Sequence, residues 1–133
     1  MLTRRYESSG FVQSPVDRVF AHIDDLDDVM RGIKQLIGTT GVFVCETHWV
    51  GNLIGEGGFD QIYHEHLCYF SLMAFQHLMK RFGLQVFDVE LTDMHGASMR
   101  IFVGNRVVQP SVRLMLERER KLDESAALPL KLN

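Results

Sequence analysis

Leu26-Asp27-Asp28-Val29-Met30-Arg31-Gly32-Ile33-Lys34-Gln35-Leu36-Ile37-Gly38-Thr39-Thr40-Gly41-Val42-Phe43-Val44-Cys45-Glu46 is the stretch that decides the fold class. Leu26, Val29, Met30, Ile33, Leu36 and Ile37 recur at helical spacing. Asp24 or Asp25 is placed to cap that helix, and further acids populate its first turn, where they oppose the helix dipole. Gly38 is a stop signal, and Thr39-Thr40-Gly41 forms a turn. Val42-Phe43-Val44-Cys45 is then a continuous apolar run ending at Glu46. Such a run suits a strand buried on both faces, as in a parallel sheet under helices. Helix, short turn and buried strand make half of an α/β crossover unit.

Working outward, residues 48 to 58 connect that strand to the next element. They leave its C-terminal end, the edge at which open α/β sheets bind ligands. Trp49 and Asn52 lie there. Ser71 is a good N-cap for a second helix, with Leu72, Phe75, Leu78, Met79 and Phe82 as its apolar stripe, Lys80-Arg81 at its C-terminal end and Gly83 as its stop. Leu84 to Leu91 and Ser98 to Val103 read as strands. The join from Thr92 to Ala97 is short enough for an antiparallel hairpin or a near-neighbour return, so the expected sheet is mixed. Pro110 suits a helix start. Val112, Leu114, Met115 and Leu116 supply that helix, which should end near Leu122. Arg113, Glu117, Arg118, Glu119, Arg120 and Lys121 should form a solvated face. Upstream, Val16 to Ile23 is a short apolar run ending beside His22. The expected organisation is an irregular tail over 1–15, one α/β domain over 16–123 and a frayed tail over 124–133.

The bulk composition narrows the classes. The chain has 133 residues, enough for one domain with a modest core. A net charge of -3 without a basic stripe gives no support for nucleic-acid binding through phosphates. No apolar run approaches the roughly 18 residues of a membrane span. Basic residues near the N-terminus are followed by no apolar segment, so a signal peptide is not expected. Cys45 and Cys68 are far apart and unpatterned, as in reduced, buried thiols of a cytoplasmic protein.

The chemistry concentrates in Phe59-Asp60-Gln61-Ile62-Tyr63-His64-Glu65-His66-Leu67-Cys68-Tyr69-Phe70. Two imidazoles, a carboxylate and a phenol occupy successive positions inside an apolar and aromatic frame. A solvated loop rarely has this composition, and a packed core rarely admits so many titratable groups. It is the usual composition of a small-molecule site. The other reading is a satisfied polar network that only locks the local fold.

Several blocks together resemble the S-adenosylmethionine-dependent sugar C-methyltransferases, which methylate a nucleotide-linked keto-deoxysugar. They are Phe20-Ala21-His22-Ile23, Gly41-Val42-Phe43-Val44-Cys45-Glu46, Phe59 to His66, Phe87-Asp88-Val89-Glu90, and His95-Gly96-Ala97-Ser98-Met99-Arg100. The resemblance covers roughly residues 19 to 122. It implies a partial Rossmann-like class I methyltransferase fold, here the second half of the central domain and the start of a C-terminal one. His66 is implied as the base, with Glu65, Tyr63 and His22 around the keto-sugar. His95, Ser98 and Arg100 are the substrate-binding candidates. A histidine suits proton removal beside a ketone because it titrates near working pH. Tyr63 could donate to the enolate oxygen, and Glu65 could orient an imidazole or a sugar hydroxyl. Glu46, ending a buried strand, is a candidate for the site's edge.

The sequence departs from the family in three ways. It has no cysteine cluster for the zinc of the family's N-terminal domain, and no metal is expected at the site. It has no Gly-rich cofactor loop; Gly55-Glu56-Gly57-Gly58 comes after the wrong strand. The family's double glycine after the histidine is Gly96-Ala97. The expectation is therefore a methyltransferase fragment or truncated product that binds S-adenosylmethionine weakly or not at all.

Blander readings stand beside these. His22 is about as consistent with a capping or core group, and Arg100 with an exposed arginine on a strand. Two other classes also compete. His64, His66 and His95 with a carboxylate would make a legitimate ligand set for a metal-dependent hydrolase or cupin-like site. Alternatively the chain is a non-catalytic interaction fragment that associates with itself through an exposed sheet edge.

Overall fold

The structure, a computed structural model, describes residues 11–13, 24–56, 69–92 and 98–127. Its elements run β1 (Phe11–Gln13), α1 (Leu26–Ile37), β2 (Val42–His48), α2 (Val50–Glu56), α3 (Leu72–Arg81), β3 (Val86–Thr92), β4 (Ser98–Gly104) and α4 (Pro110–Ala127). The strands form one sheet in the order β1-β2-β4-β3. β1 runs parallel to β2, whereas β4 is antiparallel to both its neighbours. The expected mixed α/β sheet is present, and β3 and β4 form the expected antiparallel pair.

The deciding stretch folds as its pattern requires. Asp25 is the N-cap of α1, its side chain accepting from the Asp28 N–H at 3.0 Å. Met30, Ile33 and Ile37 are buried, while Leu36 is 71% exposed and does not belong to the inward stripe. α1 closes at Gly38, and the Gly41 N–H then donates to the Ile37 carbonyl at 2.8 Å. That hydrogen bond draws the turn tight against the helix end. A Cβ on Gly41 would lie 2.5 Å from the Ile37 carbonyl oxygen, and the crowding group is backbone. Gly41→Ala should therefore cost about 1–3 kcal/mol, as overpacking does. It should lower the thermal unfolding midpoint, whereas an unchanged midpoint would mean that the turn rearranges freely.

The side chains of β2 alternate between two apolar groups. Phe43 and Cys45 join Met99, Ile101, Val103, Val86 and Val89 in the main core, packed against Met30, Ile33, Ile37, Leu72, Phe75, Met79, Val112 and Met115 of the helices. The opposite face gathers Val42, Val44, Phe87 and Phe102. Burial on both faces is why the strand reads as an unbroken apolar run. A bulge between Val86 and Asp88 interrupts β3. Asp88 is 2% exposed, and its Oδ1 accepts from the Val89 N–H at 2.9 Å and the Ser111 hydroxyl at 2.6 Å. This buried carboxylate fastens the bulge to the first turn of α4.

The structure corrects the sequence reading at several points. Phe11–Gln13, expected to be irregular, is a strand; three residues are too few for periodicity to show. α2 occupies part of the connection expected over 48–58. Its glycines are poor helix formers, but Gly51 sits where a Cβ would run into the Trp49 ring, so packing decides that turn. α4 continues past Leu122 to Ala127, because no Gly or Pro interrupts the chain before Pro129. Leu114, counted as part of the apolar stripe, is 59% exposed. No helix among the described residues is long and apolar enough to cross a membrane.

Candidate functional site

The sheet's connectivity defines one edge. β2 ends there; β1 runs parallel to it but stops at Gln13, beside Val44 and four residues short of His48. In register, His48 pairs with Ser98 and Ser98 with Thr92, so β4 begins and β3 ends at that same edge. His22 lies in the segment that follows β1, Tyr63 to His66 in the segment between α2 and α3, and His95 between β3 and β4. The side chains of His22, Tyr63, His64, Glu65, His66 and His95 lie outside the described residues. Ser98 and Arg100 are described. Ser98 is buried at the start of β4, and its carbonyl accepts from the Thr92 hydroxyl at 3.4 Å.

Arg100 is buried, which corrects the reading of an exposed strand arginine. It occupies the middle of a three-strand row, opposite Glu46 of β2 and Glu90 of β3. Strand alternation puts all three side chains on the face of Val44 and Phe102. Arg100 Nη2 donates to Glu46 Oε2 at 2.8 Å, and Nη1 lies 3.7 Å from Glu90 Oε2. The Arg100 and Glu46 side chains are only 10% and 11% exposed. Nη1 is buried and makes no hydrogen bond. A guanidinium held between two carboxylates is fixed in place, as a preorganised donor must be. Glu46, expected at the site's edge, is thus a partner of Arg100. The sequence reading passed over His48, which ends β2 opposite Ser98.

Just beyond β2, the chain is tied down from an unexpected direction. Trp49 is 2% exposed, and its indole N–H donates to Glu119 Oε1 of α4 at 2.8 Å. The same carboxylate accepts the N–H groups of Leu72 and Met73 at the start of α3. The Arg118 guanidinium stacks 4.8 Å from the Trp49 ring. Glu119 was expected on a solvated face, which the structure corrects. The signal was in the spacing: Val112, Met115, Glu119 and Leu122 share one side of α4. The expected pair Arg113–Glu117 is present at 4.0 Å. Outside this contact a cavity of about 650 Å³ opens between α2, α3 and α4, bordered by Val50, Ile54, Met73, Leu116 and Arg120.

Metal and cofactor capacity can be tested on the described residues. No group of three or more His, Cys, Asp or Glu among them is placed to hold a metal ion. Cys45 is buried and forms no disulfide. For S-adenosylmethionine, the described strand ends offer no glycine-rich turn to cradle its amino-acid part, and Gly51 is already filled against the Trp49 ring. These residues do not fit that molecule on their own.

Comparison with known proteins places the fold. A family model described as a methyltransferase domain matches residues 18–89, and the chain belongs to that family. The sheet and its helices are those of a partial α/β methyltransferase fold. C-methyltransferase NovU of Streptomyces niveus is 38% identical over 105 residues, covering 76% of this chain and 25% of that protein. The chain thus spans about a quarter of the length of the curated relative it matches.

Proposed function

We propose that this chain is the substrate-side part of an S-adenosylmethionine-dependent C-methyltransferase acting on a carbon beside the keto group of a nucleotide-linked deoxysugar. One observation carries the reading: β2 and β3 end and β4 begins at one sheet edge, the edge where open α/β sheets take ligands, and the sequence that joins these elements carries Tyr63 to His66 and His95. The similarity to a C-methyltransferase supports it. His66 removes the proton from the carbon acid, Tyr63 donates to the enolate oxygen and Glu65 orients the base or a sugar hydroxyl. His22 completes the surroundings of the keto-sugar. His95, Ser98 and Arg100 face the rest of the substrate, and the unsatisfied Nη1 of Arg100 is a donor held ready for an oxygen.

The test is methyl transfer by the intact protein. It would be given donor labelled in the methyl group and nucleotide-linked keto-deoxysugars. Label should appear on the sugar carbon adjacent to the carbonyl. Label on oxygen or nitrogen, or none with any keto-sugar, would overturn the reading.

A further inference from the structure

The excursion from Val50 to Phe70 carries every residue of the Tyr63 to His66 block, and both of its ends are described. They meet. Trp49 and Phe70 form an isolated parallel bridge, and the Val50 N–H donates to the Phe70 carbonyl at 3.0 Å. Next to that bridge stands Glu119, reached from a different helix. Its Oε1 accepts from the Trp49 indole, just before the excursion leaves, and from the Leu72 N–H at the start of α3, just after it returns. Its Oε2 takes the Met73 N–H at 3.0 Å. Ser71 completes the joint by capping α3 through the Ala74 N–H at 3.0 Å.

We propose that Glu119 is a positioning residue: its carboxylate joins the two ends of the 50–70 excursion, the part of the chain whose sequence carries Tyr63, Glu65 and His66. The catalytic part of this inference rests on the function proposed above. Three donors converge on one carboxylate. Two are backbone N–H groups at a helix start, where an anion is favoured. The third is an indole N–H that a nearly fully buried ring must satisfy somewhere. A helix cap alone would need only a side chain of α3, and Ser71 already supplies one. The indole bond is what joins the outgoing end to the returning end. Arg118 is stacked on the same ring and holds the indole across its face. A base must sit within hydrogen-bond reach of the proton it takes, and a displacement of about 1 Å far from the chemistry can cost on the order of a hundredfold in rate.

The test uses the intact protein with Glu119→Ala and Glu119→Gln. Trp49 is the only tryptophan, so its emission reads the clamp directly. Glu119→Ala should shift that emission to the red and speed amide exchange across residues 50–70, with β2, β3 and β4 unchanged. In turnover, kcat should fall on the order of tenfold to a hundredfold, with a much smaller change in KM for the keto-sugar. Glu119→Gln keeps one acceptor oxygen for Trp49 and Leu72, so it should recover part of both effects. Unchanged exchange over 50–70 in Glu119→Ala would overturn the clamp, as would a loss of kcat with no change in exchange or emission. Should Glu119→Ala melt the whole chain, Glu119→Gln decides: faster exchange confined to 50–70 supports the clamp, and wild-type exchange overturns it. If the wild-type protein transfers no methyl group, the catalytic reading falls, while exchange and emission still decide whether Glu119 holds the excursion.

Discussion

Replacing His66 by alanine in the intact protein should lower methyl transfer by about 10²–10⁴-fold, the contribution of a positioned general base, and leave affinity for the methyl donor unchanged. A carbon beside a ketone does not attack a methyl donor until its proton is removed, and an imidazole is the side chain that titrates nearest neutral pH. Tyr63→Phe keeps the ring but removes the donor for the enolate oxygen, so it should lower kcat more than it raises KM. His64→Ala separates this chemistry from a metal-dependent hydrolase. It should spare methyl transfer, whereas a hydrolase using His64, His66 and His95 would lose stoichiometric metal with it. Wild-type turnover in His66→Ala would remove that residue from the base role.

The helix-turn-strand stretch was legible because three independent signals agree there: cap, period and stop. Asp25, the alternation of Met30, Ile33 and Ile37, and Gly38 each mark the same element. Ser71 and Gly83 bracket α3 in the same way. What stayed hidden depends on contacts across long separations. β1 is three residues long, and only its pairing with Val42 to Val44 makes it a strand. α2 contains two glycines, and its geometry follows from Gly51 lying against the Trp49 ring. Glu119 is surrounded by charged neighbours that do face solvent, so local composition disguised it. Its three donors lie 46 to 70 residues upstream. Arg100 reads as an ordinary strand arginine because a strand pattern does not reveal what stands opposite it. The register that puts it between Glu46 and Glu90 is a property of the assembled sheet. The Tyr63 to His66 block stands out by composition alone, which fits neither a solvated loop nor a core, and it lies outside the described residues.

The row Glu46, Arg100 and Glu90 carries the largest expected effect on stability. Arg100→Met should lose about 3–5 kcal/mol, the cost of leaving a buried charge without its partner. Glu46 is 8% exposed, so its carboxylate has little water to turn to once the guanidinium is gone. The pair's own net worth is a separate quantity, because desolvation of both ions offsets most of their attraction. The double variant Glu46→Leu with Arg100→Met should therefore recover much of the loss, filling the space beside Val44 and Phe102 with apolar volume. Glu90, 30% exposed in its side chain and 3.7 Å from Nη1, keeps access to water, so Glu90→Gln should cost far less than Arg100→Met. Denaturant unfolding of the three variants separates these cases through the midpoint at constant slope. Comparable losses in Arg100→Met and Glu90→Gln would mean that the buried bond to Glu46 is not what Arg100 contributes. Methyl transfer by the recovered double variant carries a second decision. If Arg100 serves only to join β2 to β4, the double variant keeps its KM for the nucleotide-linked sugar. If Nη1 also meets that substrate, KM rises although the fold has been restored.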